Sequence, residues 1–280
     1  GVQIWQPYQG RKAQDWYRGT ADALYQNRNL IAESGCDQVL VLSGDHIYKQ
    51  DYREMLRFHA DKGAALTVAV RNVPQEETFR FGIMDTDASD RIVKFTEKPK
   101  NATSTLASMG IYVFNMDYLL HWLEKDGADT TSSHDFGKNI IPKMVDEGKV
   151  YAYPFSGYWV DVGTIQAYWE TNLALLHEKP ELDLYEPGWV LHTRSQERPP
   201  VKLGSAGQSC DSLLSNGCVI DGTVINSVLS PGVRVERGAV VRDSVIMNDT
   251  VIRAGAVVDH CVLDKEIEVG AGAQVGAGDD

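Results

Sequence analysis

Apolar residues recur at Ala23, Leu24, Leu30 and Ile31 between Thr20 and Ser34, the spacing of one helix face. Thr20 can cap this helix, Asp22 suits the positive end of its dipole and Gly35 can close it. The apolar run from Gln38 to Leu42, bounded by Ser43-Gly44, predicts a strand buried on both faces of a parallel sheet. Tyr52, Met55, Leu56 and His59 then mark a second helix, stopped by Gly63, ahead of a strand from Ala65 to Val70. The alternation continues with strands at Arg91–Phe95 and Gly110–Phe114, a helix at Asp135–Asp146, a strand at Tyr158–Val162 and a helix from Thr164 to about Leu176. This is the pattern of an α/β domain over residues 1–176.

From His177 to Gly207 the chain turns to Pro, Glu, Arg, Ser and Gly, a connector over residues 177–207. A repeat follows over 208–280: Ser-Val-Leu at 227, Ser-Val-Ile at 244 and Cys-Val-Leu at 261 are offset by 17 residues. Gly238, Gly255 and Gly272 keep the same offset, and aliphatics step by six, as in Leu229, Val235 and Val241. One aliphatic per flat side with small residues at the corners predicts a triangular coil of about 18 residues, a parallel β-helix of hexapeptide type. Gly1 in place of Met, and the break of the repeat at Gly278-Asp279-Asp280, lead to the expectation of a piece of a longer chain whose last coil is covered by more chain or a partner.

Composition narrows the functions. With 280 residues, 43% hydrophobic and 24% charged, the chain can bury a core. A net charge of −12 argues against binding along nucleic acid or to an anionic membrane. Cys36, Cys210, Cys218 and Cys261 form no CxxC pair, which favours a reducing interior. No apolar run reaches the ~20 residues that span a bilayer, and the first residues have no signal-peptide core. The expected location is the cytoplasm, or a plastid in a plant-type host.

Several side chains can carry chemistry, each with a plainer alternative. Asp45, in VLVLSGDHIY, lies past the carboxyl end of a strand, where open α/β sheets bind ligands; it can hold a divalent metal or only cap a turn. Asp161, in GYWVDVGT, is a second acid at a strand end, and two acids from different strands suit Mg²⁺ with phosphate oxygens. In Phe95-Thr-Glu-Lys-Pro99, Glu97 can accept sugar hydroxyls and Lys98 can meet a phosphate, or the two can form a solvated pair. Ser108-Met-Gly110 offers a hydroxyl and close backbone approach, or an ordinary turn. Asp15-Trp-Tyr-Arg-Gly-Thr20 begins a helix, with Trp16 and Tyr17 lining a site or covering the core. Asp135-Phe136, after Ser132-Ser133-His134, is an N-cap region or a sugar contact. His46, His134 and His260 have no second histidine at zinc-ligand spacing.

Together WYRGTADA (16–23), GDHIYKQDY (44–52), FTEKP (95–99), SMGIYVF (108–114), SSHDFGKNIIP (132–142) and YWVDVGT (158–164), followed by the solenoid, resemble the ADP-glucose pyrophosphorylase (glucose-1-phosphate adenylyltransferase) family over nearly the whole chain. GD and EKP are shared by sugar nucleotidyltransferases at large, whereas WYRGTADA and SSHDFGKNIIP are specific to the ADP-glucose branch. The resemblance implies a Rossmann-like, mostly parallel nucleotidyltransferase domain followed by a left-handed β-helix. It further implies Mg²⁺-dependent transfer of adenylyl from ATP to glucose 1-phosphate for glycogen or starch synthesis, metabolite effectors and a homotetramer.

By the same resemblance Asp45 and Asp161 hold Mg²⁺ and Lys98 holds the sugar phosphate. Glu97, Ser108, Asp135, Phe136, Tyr112 and Trp159 meet the glucose, and Tyr17 and Gly82 line the pocket. The family's GGxGxRL loop is absent, with no GxG upstream of Trp16, so these 280 residues alone are expected to be inactive. Two other readings compete: a noncatalytic regulatory subunit of the same enzyme, and an acyltransferase using the solenoid, for which only His260 is available in the periodic region.

Overall fold

A computed structural model describes residues 2–7, 16–193 and 196–276. Asp15 and the terminal Gly278-Asp279-Asp280 lie outside the described residues. The chain forms two compact units, one of residues 1–44 with 50–157, the other of 45–49 with 158–280.

In the first unit the expected helix from Thr20 is two helices, α1 (Thr20–Gln26) and α2 (Arg28–Glu33). The break falls at Asn27, whose amide donates to the Ala23 carbonyl, so a side chain competes with the helical ladder. Thr20 is also not the cap: it is the first helical residue, after Gly19, and the His134 carbonyl accepts from the Ala21 amide at 2.9 Å. A side chain at Gly19 would collide with the His134 and Ser133 carbonyls, so the glycine admits this backbone cap.

The sheet of this unit holds β1 (Gln38–Val41), β3 (Leu66–Asn72), β4 (Gly82–Thr86), β5 (Ile92–Glu97), β6 (Leu106–Asn115) and β7 (Val150–Pro154). Its order is β5-β4-β6-β3-β7, with β1 also on β6. The sheet is mixed. Among the described residues of this unit only β3 and β7 pair in parallel, and β1 runs antiparallel to β6 and is half-buried, not enclosed in a parallel ladder. The expected buried run is instead β3, whose residues 66–70 are all buried.

Helices α3 (Tyr52–Asp61), α4 (Met116–Gly127) and α5 (Ile141–Glu147) complete the unit. Leu119, Trp122 and Leu123 of α4 and Ile141 and Met144 of α5 bury against Leu66, Val68, Met84 and Phe114 of the sheet. His59 of α3 is buried with one ring nitrogen on Thr67 Oγ1 (2.8 Å) and the other on Asn115 Oδ1 (3.0 Å); burial pushes its pKa down. The helix expected over 135–146 opens with a π-helical turn, Phe136–Ile140, before α5.

In the second unit β2 (His46–Tyr48) pairs antiparallel with β8 (Trp159–Asp161). Thr164 caps α6 (Ile165–Ala174) by accepting from the Ala167 amide. Three parallel stacks then form the solenoid, with five, four and five rungs, the first residues of each being Gln208–Cys210, Leu213–Leu214 and Lys202–Leu203. Val224, Val241 and Val258, Leu229 and Ile246, and Ile220, Val235 and Ile252 fill the interior. Three attachments tie other parts of the unit to each other. Trp169 of α6 donates to the Asp243 carbonyl at 2.7 Å, Arg198 of the connector grips Asp249 through two nitrogens, and Lys49 pairs with Glu186 at 2.7 Å.

The coil is 17 residues long, not 18, as the Thr223↔Val240 and Val240↔Val257 registers show. Three registers that span one corner, Gln208↔Thr223, Leu213↔Val228 and Val219↔Arg234, are each 15 residues. The shortening falls between Val219–Ile220 and Thr223–Ile225, at Asp221-Gly222, where any side chain on Gly222 would strike the Ala239 carbonyl.

The repeated Ser-Val-Leu unit has a polar cause. Ser227 Oγ donates to the Ile225 carbonyl and accepts from the Ser244 amide (3.1 Å). Ser244 Oγ repeats this with the Arg242 carbonyl and the Cys261 amide (3.0 Å). Both serines are fully buried, so the column satisfies corner backbone groups that water cannot reach. Among the described residues no helix is long and apolar enough to cross a membrane.

Ser244→Ala leaves the Cys261 amide without its acceptor and is expected to cost about 1–3 kcal/mol of unfolding free energy. Urea denaturation followed by circular dichroism measures it, and Ser209→Ala, at an exposed position, serves as the control.

Candidate active site

The candidate residues fall into two groups, one in each unit. In the first unit they gather around Glu97, the last residue of β5. Gly82 faces Glu97 across the β4–β5 ladder, and a Cβ on Gly82 would stand 2.9 Å from Glu97 Oε2. On the other side, a Cβ on Gly137 would stand 2.9 Å from Glu97 Cδ and 3.4 Å from Asp135 Oδ1. Two glycines thus leave room for two carboxylates in one place.

Asp135 is fixed at the head of the π-helical turn. Its Oδ1 accepts from the Lys138 amide at 3.0 Å and its Oδ2 from Thr20 Oγ1 at 3.2 Å. Thr20 Oγ1 in turn accepts from the Phe136 amide at 3.0 Å. Phe136 is buried, with its ring 5.9 Å from that of Tyr112 and 5.5 Å from that of Phe114. Ser108 Oγ lies 3.5 Å from the Tyr112 hydroxyl and accepts from the Gly110 amide at 3.2 Å. Ser108-Met-Gly110 is not a turn before a strand: it lies inside β6, where the register with β3 shifts between Val68 and Val70, and Gly110 takes the left-handed φ of 66°.

The electrostatics agree with the packing. Burial pushes the Glu97 carboxyl up, and the neighbouring Asp135 charge adds to the rise, while Lys98 and Lys138 partly offset it. The Tyr112 phenol is pushed up to about 12, first by burial and further by the charges of Glu97 and Asp135. The pocket therefore offers two carboxylates, a phenol and a Ser hydroxyl beside aromatic rings, a donor and acceptor set suited to a polyhydroxylated ring. Lys98 is exposed just beyond, its amide donating to the Phe81 carbonyl at 3.0 Å. Tyr17 has other partners: its hydroxyl accepts from Asn27 and donates to the Trp5 carbonyl. Trp16 does not cover the core, being 81% exposed.

In the second unit the β2–β8 ladder sets His46 opposite Asp161 and Tyr48 opposite Trp159, and the Asp45 carbonyl accepts from the Val162 amide. Gly163 donates its amide to Asp161 Oδ1 at 2.8 Å. A Cβ on Gly163 would stand 2.9 Å from Asp161 Oδ1 and 3.8 Å from Asp45 Oδ2, so the two carboxylates converge on one hollow that a side chain would fill. Two converging carboxylates with room beside them fit a hard divalent cation that keeps other oxygen ligands.

A model of the nucleotidyl transferase family matches residues 2–178, and one described as GlmU-like, C-terminal hexapeptide, matches 199–280. Glucose-1-phosphate adenylyltransferase of Acetivibrio thermocellus is 45% identical over 280 residues, covering 100% of this chain and 66% of the relative. That of Fervidobacterium nodosum is 47% identical over 278 residues, covering 99% and 67%. That of Thermomicrobium roseum is 50% identical over 281 residues, covering 100% and 66%. The chain belongs to the glucose-1-phosphate adenylyltransferase family of nucleotidyl transferases. It spans about two thirds of the length of these relatives.

Two features of this family member were outside the sequence reading. One is a buried network behind Asp135: His134 Nδ1 meets Asp126 Oδ2 at 2.7 Å, and Ser132 donates to Asp126 Oδ1 at 2.6 Å. The Ser-Ser-His run signalled a cap, but its partner Asp126 lies at the far end of α4. The other is the gathering of Asp243, Asp259 and His260, whose ligand atoms lie within 4.8 Å of one another. Arg242 already meets Asp259 at 2.8 Å and Asn226 donates to Asp243, so these groups hold adjacent coils together.

Because the folded pKa of Glu97 is raised, its contribution to stability is whole below the ordinary carboxylate value and is lost as pH rises through the raised one. Glu97→Gln cannot ionise, so its melting temperature relative to the unaltered protein is expected to rise between pH 4 and pH 7. Differential scanning fluorimetry at half-unit pH steps checks this, and parallel curves would contradict it.

Proposed function

We propose that the protein transfers the adenylyl group of ATP to α-D-glucose 1-phosphate, giving ADP-glucose and pyrophosphate for glycogen or starch synthesis. The observation that carries this reading is the pocket of Glu97, Asp135, Tyr112 and Ser108, whose donors and acceptors converge beside the Phe136 ring. In it Glu97 and Asp135 accept from sugar hydroxyls, while Tyr112 and Ser108 can donate or accept. Gly82 and Tyr17 line the pocket. Lys98 holds the sugar phosphate as a point charge.

A phosphate oxygen of the sugar attacks the α-phosphorus in line, and the bond to the β-phosphate oxygen breaks to release pyrophosphate. The side chains act by holding the reactants in that line and by neutralising charge. Asp45 and Asp161 would hold the divalent cation, which we take to be Mg²⁺ and which supplies charge neutralisation on phosphate oxygens. The hollow beside Gly163 supports this. The homotetramer and metabolite effectors implied by the resemblance belong to the same proposal.

The test is Mg²⁺-dependent pyrophosphate release from ATP and glucose 1-phosphate, with UTP as control, by this chain and by a chain extended to the length of the relatives. Turnover with ATP is expected in the extended chain, and none in either would favour a noncatalytic regulatory subunit. In the active form, Asp45→Asn is expected to lower kcat by about a hundredfold or more with folding retained. Lys98→Gln is expected mainly to raise the KM for glucose 1-phosphate, and an unchanged KM would remove Lys98 from that role.

A further inference from the structure

His46 stands among three of the residues assigned above, without a role of its own so far. Its ring meets that of Trp159 edge-on, with centroids 5.0 Å apart and planes at 75°. Its Nε2 lies 3.7 Å from Asp45 Oδ1, just beyond hydrogen-bond range. Its ladder partner is Asp161, so the two side chains leave the same face. The imidazole is 11% exposed, and its Nδ1 is buried with no hydrogen-bond partner among the described residues.

Packing alone does not account for an imidazole here. A phenyl ring would keep the edge-to-face contact with Trp159 and would bury no unsatisfied nitrogen. What the imidazole adds is a polar nitrogen 3.7 Å from the exposed carboxylate of Asp45. A carboxylate that binds a cation weakly by itself gains from a neighbour that limits its rotamers. We propose that His46 is a positioning residue, holding the Asp45 carboxylate towards Asp161 while its ring fixes the Trp159 indole on the same ladder. The inference rests on the reading of Asp45 and Asp161 as a cation site, and it joins that site to the Trp159 indole through one side chain.

The test measures Mn²⁺ binding from the free-ion signal in electron paramagnetic resonance, with melting temperatures in parallel, for the unaltered chain and for Asp45→Asn, His46→Phe and His46→Gln. Phe keeps the ring and removes the nitrogen; Gln places an amide nitrogen near the position of Nε2. The expected result is Mn²⁺ binding weakened about tenfold in His46→Phe and largely restored in His46→Gln, with melting temperatures close to that of the unaltered chain. Unchanged binding in His46→Phe while Asp45→Asn binds poorly would overturn the role of His46 and leave the cation site standing. Equal loss in both His46 variants, with or without a lower melting temperature, would also overturn it. Unchanged binding in Asp45→Asn would instead remove the cation site and the inference with it.

Discussion

The candidate cation site depends on the three-residue ladder between β2 and β8. It brings Asp45, from early in the chain, beside Asp161 and Gly163. Antiparallel pairing fixes the register, and a slip of one residue would turn Asp161 to the opposite face and separate the acids. So short a ladder has few hydrogen bonds of its own. The second unit supports it from both ends, through the pair of Lys49 with Glu186 and through the Thr164 cap of α6 just after Gly163.

In the first unit the governing constraint is the satisfaction of buried polar groups. The His134 carbonyl closes the start of α1, the His134 ring rests on Asp126, and Thr20 joins Asp135 to Phe136. These bonds hold Asp135 close to Glu97 in spite of their like charge, and that closeness adds to the rise that burial gives the Glu97 pKa. The same arrangement explains why a glycine occurs at 137, where a side chain would take the volume of the carboxylate pair, while at 82 a side chain would strike the Phe95 ring and Glu97.

Much of this was legible in the sequence. The solenoid was, because its period is repeated and each aliphatic falls on a flat side, although the single shortened corner at Asp221-Gly222 could only be seen once the rungs were aligned. The α/β character of the first unit and the positions of β1, β3, β5 and the second half of β6 were also legible, whereas β4, β7 and α4 were not read. The antiparallel course of β1 was not, since an apolar run has no direction, and the break at Asn27 depended on where one amide turned. Glu97, Asp135 and Asp161 came forward from their motifs, but their neighbours did not. Contacts such as Gly137 with Glu97, His134 with Asp126, or His46 with Trp159 are matters of tertiary approach and leave no periodic trace.

The buried hydroxyl column of the solenoid restricts how its length can change. Each corner serine serves the coil above it, so adding or removing residues within a strand would shift every later hydroxyl off its amide. Material can leave only at a corner, and the one place where it has done so kept the strands on either side in register. Length in this unit is therefore a stepwise quantity, altered by whole coils or by trimming corners, and a homologue of different size should differ from it in the same increments.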